Sequence, residues 1–344
     1  MKLKFAFLKL FLGCISLLLI NTKFTSIIKA EELQKVELNN EIKKGKFLIG
    51  LKQYLGGEND SFSKKKNIDF ITDKGFLNLI SSNGIKHKSK QINISWVDIP
   101  IKNPNTIERI VFGPFASYES AKKQAEKLKD KGFETTVAYP KNWEVWIPFE
   151  DNLPEFELKN KISRKIKNFQ ITPVLRSKYS LMKLEGPIYI SAQEDIKING
   201  VNFGKNFYLL KDLYGTWTLV QKIEFDDYLA GVLPYEIGPN SPLEALKAQA
   251  VIARTWGIFN SDRFNMDKYH LCISTQCQVY KPSKISNKNV QKAIDATSNL
   301  ILTHENQPIN AFYHGSNGGV SATAGESWQI QDYPYFNSII DGSK

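Results

Sequence analysis

The residues of this chain best suited to chemistry are carboxylates near its middle. The run Asp227-Tyr-Leu-Ala-Gly-Val-Leu-Pro-Tyr-Glu236 reads as a buried segment ending in a turn that presents Glu236. The next run, Ser241-Pro-Leu-Glu-Ala-Leu-Lys-Ala-Gln-Ala-Val-Ile-Ala-Arg254, reads as a small-residue helix packed behind that turn. A carboxylate braced in this way suits general acid/base work on a glycosidic bond. Ser241, Pro242 and Glu244 stand where a capping box places its N-cap, N1 and N3 residues, which gives Glu244 a structural task. Glu236, in the loop 234–239, has no such local task. Asp227 and Glu326 are the acids left for a hydrolytic scheme that aims a second carboxylate at water. A proton donor must also hold its proton, which desolvation by Leu233, Tyr235 and Ile237 would favour.

Two further groups carry chemistry. Cys272 and Cys277 lie five residues apart in Tyr269-His-Leu-Cys-Ile-Ser-Thr-Gln-Cys-Gln-Val-Tyr280. Outside the cytoplasm they suit a disulfide; with His270 they also offer part of a zinc set; free thiols are the third state. The run His314-Gly-Ser-Asn-Gly-Gly319 is a glycine-rich loop, expected at the end of a hairpin over 300–303 and 309–313, and such loops let a ligand approach the backbone.

The elements that must position these residues follow from composition and periodicity. A chain of 344 residues, 42% hydrophobic and 24% charged, has room for more than one core. Residues 1–30 read as a secretory signal peptide: Lys2, Lys4 and Lys9 precede the apolar run 10–20, with Ala30 as the cleavage position. Cleavage sends the protein to the periplasm or cell wall; an uncleaved signal would leave it membrane-anchored. That segment holds five lysines and no acid, so the remainder has 41 basic against 35 acidic residues, a net +6. A moderate positive charge fits an anionic wall or membrane surface, and no nucleic-acid motif is present.

Residues 31–105 show short alternating runs and form a β-rich region. Over 106–150, the strand Ile110–Phe115, a helix capped by Ser117 with Ala121, Ala125 and Leu128 inward, a stop at Gly132 and a return strand from Phe133 make one unit. Residues 151–168 carry five basic residues at 159–168 and read as a solvated linker. The remainder, 169–344, begins with strands, among them a hairpin turning at Asn199-Gly200. It continues through a helix whose Leu246, Ala250, Ala253 and Gly257 allow close approach, and a helix over 287–298. The fold class is α+β.

Several of these runs together resemble a known family. Tyr228-Leu-x-Gly-Val-x-Pro-x-Glu236, Glu244-Ala-Leu-Lys-Ala-Gln-Ala-Val-x-Ala-Arg-Thr255, Gln278-Val-Tyr280 and Tyr313-His-x-Ser-x-Gly-Gly319 with Trp328 resemble, in order and spacing, the SpoIID/LytB family. The unit at 106–150 resembles half of a SPOR domain, a glycan-binding module. The first resemblance implies a peptidoglycan lytic transglycosylase acting on peptide-stripped glycan strands, with Glu236 catalytic. It also implies Arg254, Gln278, Tyr280, His314, Ser316, Gly318 and Gly319 near the glycan, and a cell-wall amidase as partner. The family's other branch implies a non-catalytic glycan-binding protein or amidase enhancer. No cofactor is implied for the chemistry. Some members bind a structural zinc through two Cys and two His, one His directly before the second Cys; here that position is Gln276. Family members continue with further strands after the segment ending at Asp341, so a C-terminally truncated domain is expected for a chain ending at Lys344.

Overall fold

The computed structural model describes residues 38–57, 67–149, 161–177, 180–282, 287–328 and 332–341. The expected signal peptide and residues 151–160 of the expected linker lie outside them. In chain order the strands are β1 (Lys46–Leu55), β2 (Asn67–Thr72), β3 (Leu77–Ser81), β4 (Lys86–Ser89), β5 (Gln91–Phe115), β6 (Thr136–Ala138), β7 (Trp143–Pro148) and β8 (Lys161–Arg176). They continue with β9 (Leu181–Lys183), β10 (Ile188–Ser191), β11 (Ile196–Ile198), β12 (Val201–Asn202), β13 (Asn206–Lys211), β14 (Trp217–Glu224) and β15 (Leu271–Cys272). The helices are α1 (Tyr118–Asp130), α2 (Phe225–Glu236), α3 (Leu243–Phe259), α4 (Lys288–Ala296) and α5 (Ala324–Trp328). The fold is α+β.

Two sheets carry the architecture. One runs β15-β1-β14-β13-β10-β3-β4, antiparallel except where β15 joins β1; the other runs β12-β11-β2-β5-β7-β6, with β8 on β5 and β9 on β8. Alternation explains the buried faces: Phe47, Ile49 and Leu51 of β1 and Leu77 and Leu79 of β3 point inward. The hairpin at Asn199-Gly200 forms as expected, with φ of 47° and 85° at its two turn residues.

The boundaries expected at 105 and 169 do not separate these sheets. Strands β1 and β3 from the first region interleave with β10, β13 and β14 from the last, and their apolar faces share one core. The basic run is likewise no linker from Lys161 onward. It opens β8, which pairs with β5 from Val111↔Lys161 to Asn93↔Arg176. Charge marks a solvated segment but does not forbid backbone pairing; Ile162 and Ile166 already share one strand parity.

The unit at 106–150 forms as strand, helix and strands. Ser117 Oγ accepts from Ser120 N at 3.2 Å, Ala121, Ala125 and Leu128 are buried, and the backbone reverses at Gly132 with φ 90°. The return strand is shorter than expected, 136–138, and a further strand, β7, follows it. Its apolar face is completed by Leu210, Val220, Phe264 and Tyr269 from the rest of the chain. In α3 the small-residue face does the work expected of it: a Cβ on Gly257 would stand 2.8 Å from the Phe47 ring of β1.

His270 ties the start of the described chain to this core. Its Nδ1 accepts from Leu48 N at 2.9 Å, and its Nε2 donates to Leu38 O at 3.1 Å. Burial lowers its pKa to about 4, so the ring stays neutral where an unfolded histidine would take up a proton. A depressed folded pKa gives stability that is full above pH 6.5 and drains away as pH falls toward 4. Denaturant titrations should therefore show the advantage of wild type over His270→Gln shrinking by about 3 kcal/mol between pH 7 and pH 4. A constant difference would contradict the neutral, buried assignment.

Candidate functional site

Glu236 is the last residue of a helix rather than a loop residue. The expected turn is α2, whose Tyr228, Leu229, Gly231, Val232 and Leu233 are buried, with Pro234 in its final turn. An apolar run without clear polar punctuation does not distinguish strand from helix, which is why its type was not readable. Of the three apolar neighbours expected around Glu236, Leu233 is buried and Ile237 partly so. Tyr235 turns to solvent, where Lys281 Nζ sits 4.7 Å from its ring centre.

The segment 278–281 runs beside α2 and fixes the carboxylate. Val279 N donates to Glu236 Oε1 at 2.8 Å, and Lys281 N donates to Gly231 O at 3.1 Å. The contact at Gly231 admits no side chain, because a Cβ there would lie 2.4 Å from the Tyr280 ring and 2.7 Å from Lys281 O. Tyr280 is buried, stacks on Tyr228 at 5.3 Å and donates to Gln221 Oε1 at 3.1 Å.

A directed chain of hydrogen bonds ends on the carboxylate. Tyr228 Oη donates to Gln278 Oε1 at 3.2 Å, and Gln278 Nε2 donates to Ala253 O at 3.3 Å and to Tyr313 Oη at 3.2 Å. The Tyr313 hydroxyl is hydrogen-bonded to Glu236 in turn. Burial first, and then the Glu236 charge, push the Tyr313 hydroxyl well above the ordinary tyrosine range, so it remains a donor.

This carboxylate opens into a cleft of about 360 Å³. It is lined by Glu236, Val279, Thr275, Phe312 and Tyr313, and by Ala116, Ser117, Tyr118 and Glu119 at the start of α1. Glu119 is therefore a second carboxylate at the same cleft, but it is ion-paired with Arg263. A larger cavity, about 590 Å³, lies beside Asp227 and excludes Glu236. There burial, then Glu224, Asp226 and Asp195, raise the Asp227 carboxyl above its usual range. We assign the functional site to the smaller cleft, because it holds the carboxylate anchored by the buried chain.

The remaining sequence candidates are placed as follows. Gln278 and Tyr280 are buried and do not line the cleft; Gln278 bonds Tyr313, and Tyr280 packs on α2. Arg254 is also buried; it donates to Thr297 O at 2.8 Å and Leu300 O at 3.1 Å and pairs with Asp226 at 2.8 Å, joining α3 to α4 and α2. It does not reach the cleft, and its charge is consumed inside the fold. His314, Ser316, Gly318 and Gly319 do not line the cleft either. The hairpin expected to deliver them shrinks to the paired segments Thr303–His304 and Gln307–Pro308, and their loop turns instead toward Asp341, whose N donates to Gly319 O at 2.8 Å. Only Phe312 and Tyr313 of that stretch face Glu236.

The expected capping box at Ser241 is absent. Helix α3 starts at Leu243 with Pro242 at its cap, Ser241 Oγ donates to Ile237 O at 2.6 Å, and Glu244 is exposed and pairs with Lys247 at 2.7 Å. Glu244 is still no rival to Glu236, because it does not line the cleft. A capping box does form at Thr323 and Glu326: Thr323 N donates to Glu326 Oε2 at 2.8 Å, and Glu326 N donates to Thr323 Oγ1 at 3.3 Å. That removes Glu326 as a second acid.

Cys272 and Cys277 are joined as a disulfide. With both sulfurs bonded and both His270 nitrogens engaged, the residues weighed as zinc ligands have no donor left for a metal. Among the described residues no group of three or more His, Cys, Asp or Glu side chains is placed to hold one. Sequence reasoning missed the start of α1 and Arg263, because Glu119 and Arg263 meet across 144 residues of chain. Tyr313 carried a signal, heading the run that ends at Gly319.

The fold and cleft define an α+β protein that presents an anchored carboxylate at an open groove. Residues 214–304 match the family model described as Stage II sporulation protein, SpoIID. The chain is 37% identical over 107 residues to the amidase enhancer of Bacillus subtilis, covering 31% of this chain and 14% of that protein. It is 30% identical over 135 residues to stage II sporulation protein D of the same organism, covering 35% of this chain and 39% of that protein. It is also 28% identical over 156 residues to an uncharacterized protein of Brachyspira hyodysenteriae, covering 44% of this chain and 41% of that protein. The chain thus spans less than half the length of these relatives. The match at 214–304 and these relatives support the SpoIID/LytB family for that part of the chain.

The packing of 278–281 on α2 gives a direct test. Gly231→Ala should lower stability by about 2 kcal/mol, from overpacking against the Tyr280 ring and a backbone carbonyl. Thermal and denaturant unfolding would read it, and an unchanged midpoint would mean the two segments are not in the described contact.

Proposed function

We propose that this protein is a peptidoglycan lytic transglycosylase that cleaves between N-acetylmuramic acid and N-acetylglucosamine in peptide-stripped glycan strands, with Glu236 as the acid and base. The observation that carries this reading is the placement of Glu236: one anchored carboxylate at an open cleft, held by Val279 N–H and the Tyr313 hydroxyl.

The chemistry needs one carboxylate used twice. Protonated Glu236 donates to the glycosidic oxygen as the bond to the muramoyl C1 breaks, and positive charge develops on the ring. The resulting carboxylate removes the proton from the muramoyl C6 hydroxyl, whose oxygen closes on C1 to give a 1,6-anhydro end. The proton returns to Glu236, so no water is consumed. A two-carboxylate hydrolysis would require a second free acid about 5–9.5 Å away. Glu119 is committed to Arg263, Glu326 caps α5, and Asp227 lines the other cavity.

A second reading rests on the similarity to a protein named as an amidase enhancer. In that reading the cleft binds glycan, a cell-wall amidase is the partner, and no bond is broken. Both readings place the protein outside the cytoplasm, where the Cys272–Cys277 disulfide persists. Among the described residues no helix is long and apolar enough to cross a membrane.

Incubation with amidase-treated peptidoglycan and mass analysis of the products separates them. We expect anhydro ends, one water lighter than hydrolytic ends, and loss of at least about 10³-fold of that activity in Glu236→Gln while glycan binding persists. Hydrated reducing ends would overturn the transglycosylase reading, and binding without cleavage by wild type would favour the enhancer.

A further inference from the structure

The cleft that holds Glu236 has a wall that the family match at 214–304 does not supply. Ala116, Ser117, Tyr118 and Glu119 belong to the strand–helix–strand unit at 106–150, which the sequence suggested as a separate glycan-binding module. We infer that this unit is not a tethered module but one face of the reaction cleft, and that the start of α1 contacts the glycan strand lying over Glu236. This rests on the reading of Glu236 given above and names the part of the chain that completes its substrate subsite.

Two buried links hold the wall in register with the carboxylate. The Arg263 guanidinium lies between the rings of Tyr118 and Trp256, 4.7 and 4.9 Å from their centres, and pairs with Glu119. It also donates to Asn260 Oδ1 at 2.9 Å and to Gln276 O at 3.4 Å. Trp143, from β7 of the same unit, donates through Nε1 to Gln276 Oε1 at 2.7 Å. Position 276 thus meets the accessory unit directly through Trp143 and indirectly through Arg263, which pairs with Glu119, two residues before the Gln278 that orders Tyr228 and Tyr313. Arginine pairing and ring stacking of this kind fix an orientation as well as contribute energy. A wall fixed this firmly and facing an acid/base carboxylate is placed to bear on substrate; a module serving only to tether the protein to glycan needs neither link.

The groups facing the cleft from this side suit a hydroxyl-rich ligand. Ala116 is exposed and small, Ser117 is polar, and the Glu119 charge is neutralised by Arg263. Thr275, outside the accessory unit, is also exposed and lines the same cleft. A bulky group added at either position fills the groove without touching the core.

The test compares Ala116→Trp and Thr275→Trp, each in a Glu236→Gln background, for co-sedimentation with amidase-treated glycan strands; their thermal midpoints verify folding. Both should bind at least tenfold more weakly at an unchanged midpoint. With Glu236 restored, Ala116→Trp should raise KM more than it lowers kcat. Weakening by Thr275→Trp alone would overturn the wall and leave the Glu236 assignment standing. Full binding by both variants would overturn the cleft as the glycan site, and this inference with it.

Discussion

The position of the cleft carboxylate, Glu236, depends on one buried amide. Gln278 has no access to water, and its side chain must satisfy its acceptor and donors within the protein. It does so by joining three elements: Tyr228 on α2, the Ala253 carbonyl on α3, and Tyr313 in the segment that follows the short hairpin. Each partner is itself buried or half-buried, so releasing one would strand a polar group at a cost of about 1–3 kcal/mol. The network is therefore all-or-none. Because Val279 follows Gln278 directly, the same constraint that orders the amide also aims a backbone N–H at Glu236.

That constraint explains choices elsewhere. Gly231 is required because the 278–281 segment must lie against α2 for Val279 to reach the helix end. Arg254 spends its charge on Asp226 and on carbonyls after α4, which locks α3, and with it the Ala253 carbonyl, in place. The interleaved order of the first sheet then keeps β14, the strand entering α2, between β1 and β13. Sheet, helix and amide form one mechanical path to the carboxylate.

Much of this was legible in the sequence, and the reasons for the exceptions are physical. Glu236 stood out because no local structural task accounted for it; the argument used against Glu244 fails, since an exposed ion pair to Lys247, not a capping box, accounts for that residue. Ser-Pro-x-Glu spells a capping box, but Ser241 turns its hydroxyl back to Ile237 to close the preceding turn. The helix at 118–130 and the hairpin at 199–200 were readable because their signals are local. Arg254 was misplaced because a charged residue on an alanine-rich helix looks exposed or functional unless its partners, 28 to 46 residues away, are known. The contribution of the 106–150 unit to the cleft was invisible for the same reason on a longer scale.

Position 276 ties these elements together. In the zinc-binding pattern described for the family, a histidine before the second cysteine completes a closed four-ligand site that holds the turn. A closed tetrahedral site missing one ligand holds a metal poorly, whereas two cysteines five residues apart can brace the same turn through a sulfur–sulfur bond. Gln276, inside that braced turn, accepts from Trp143 through its side chain, while its carbonyl accepts from Arg263. The turn that supports Val279 is thus also the joint between the accessory unit and the carboxylate.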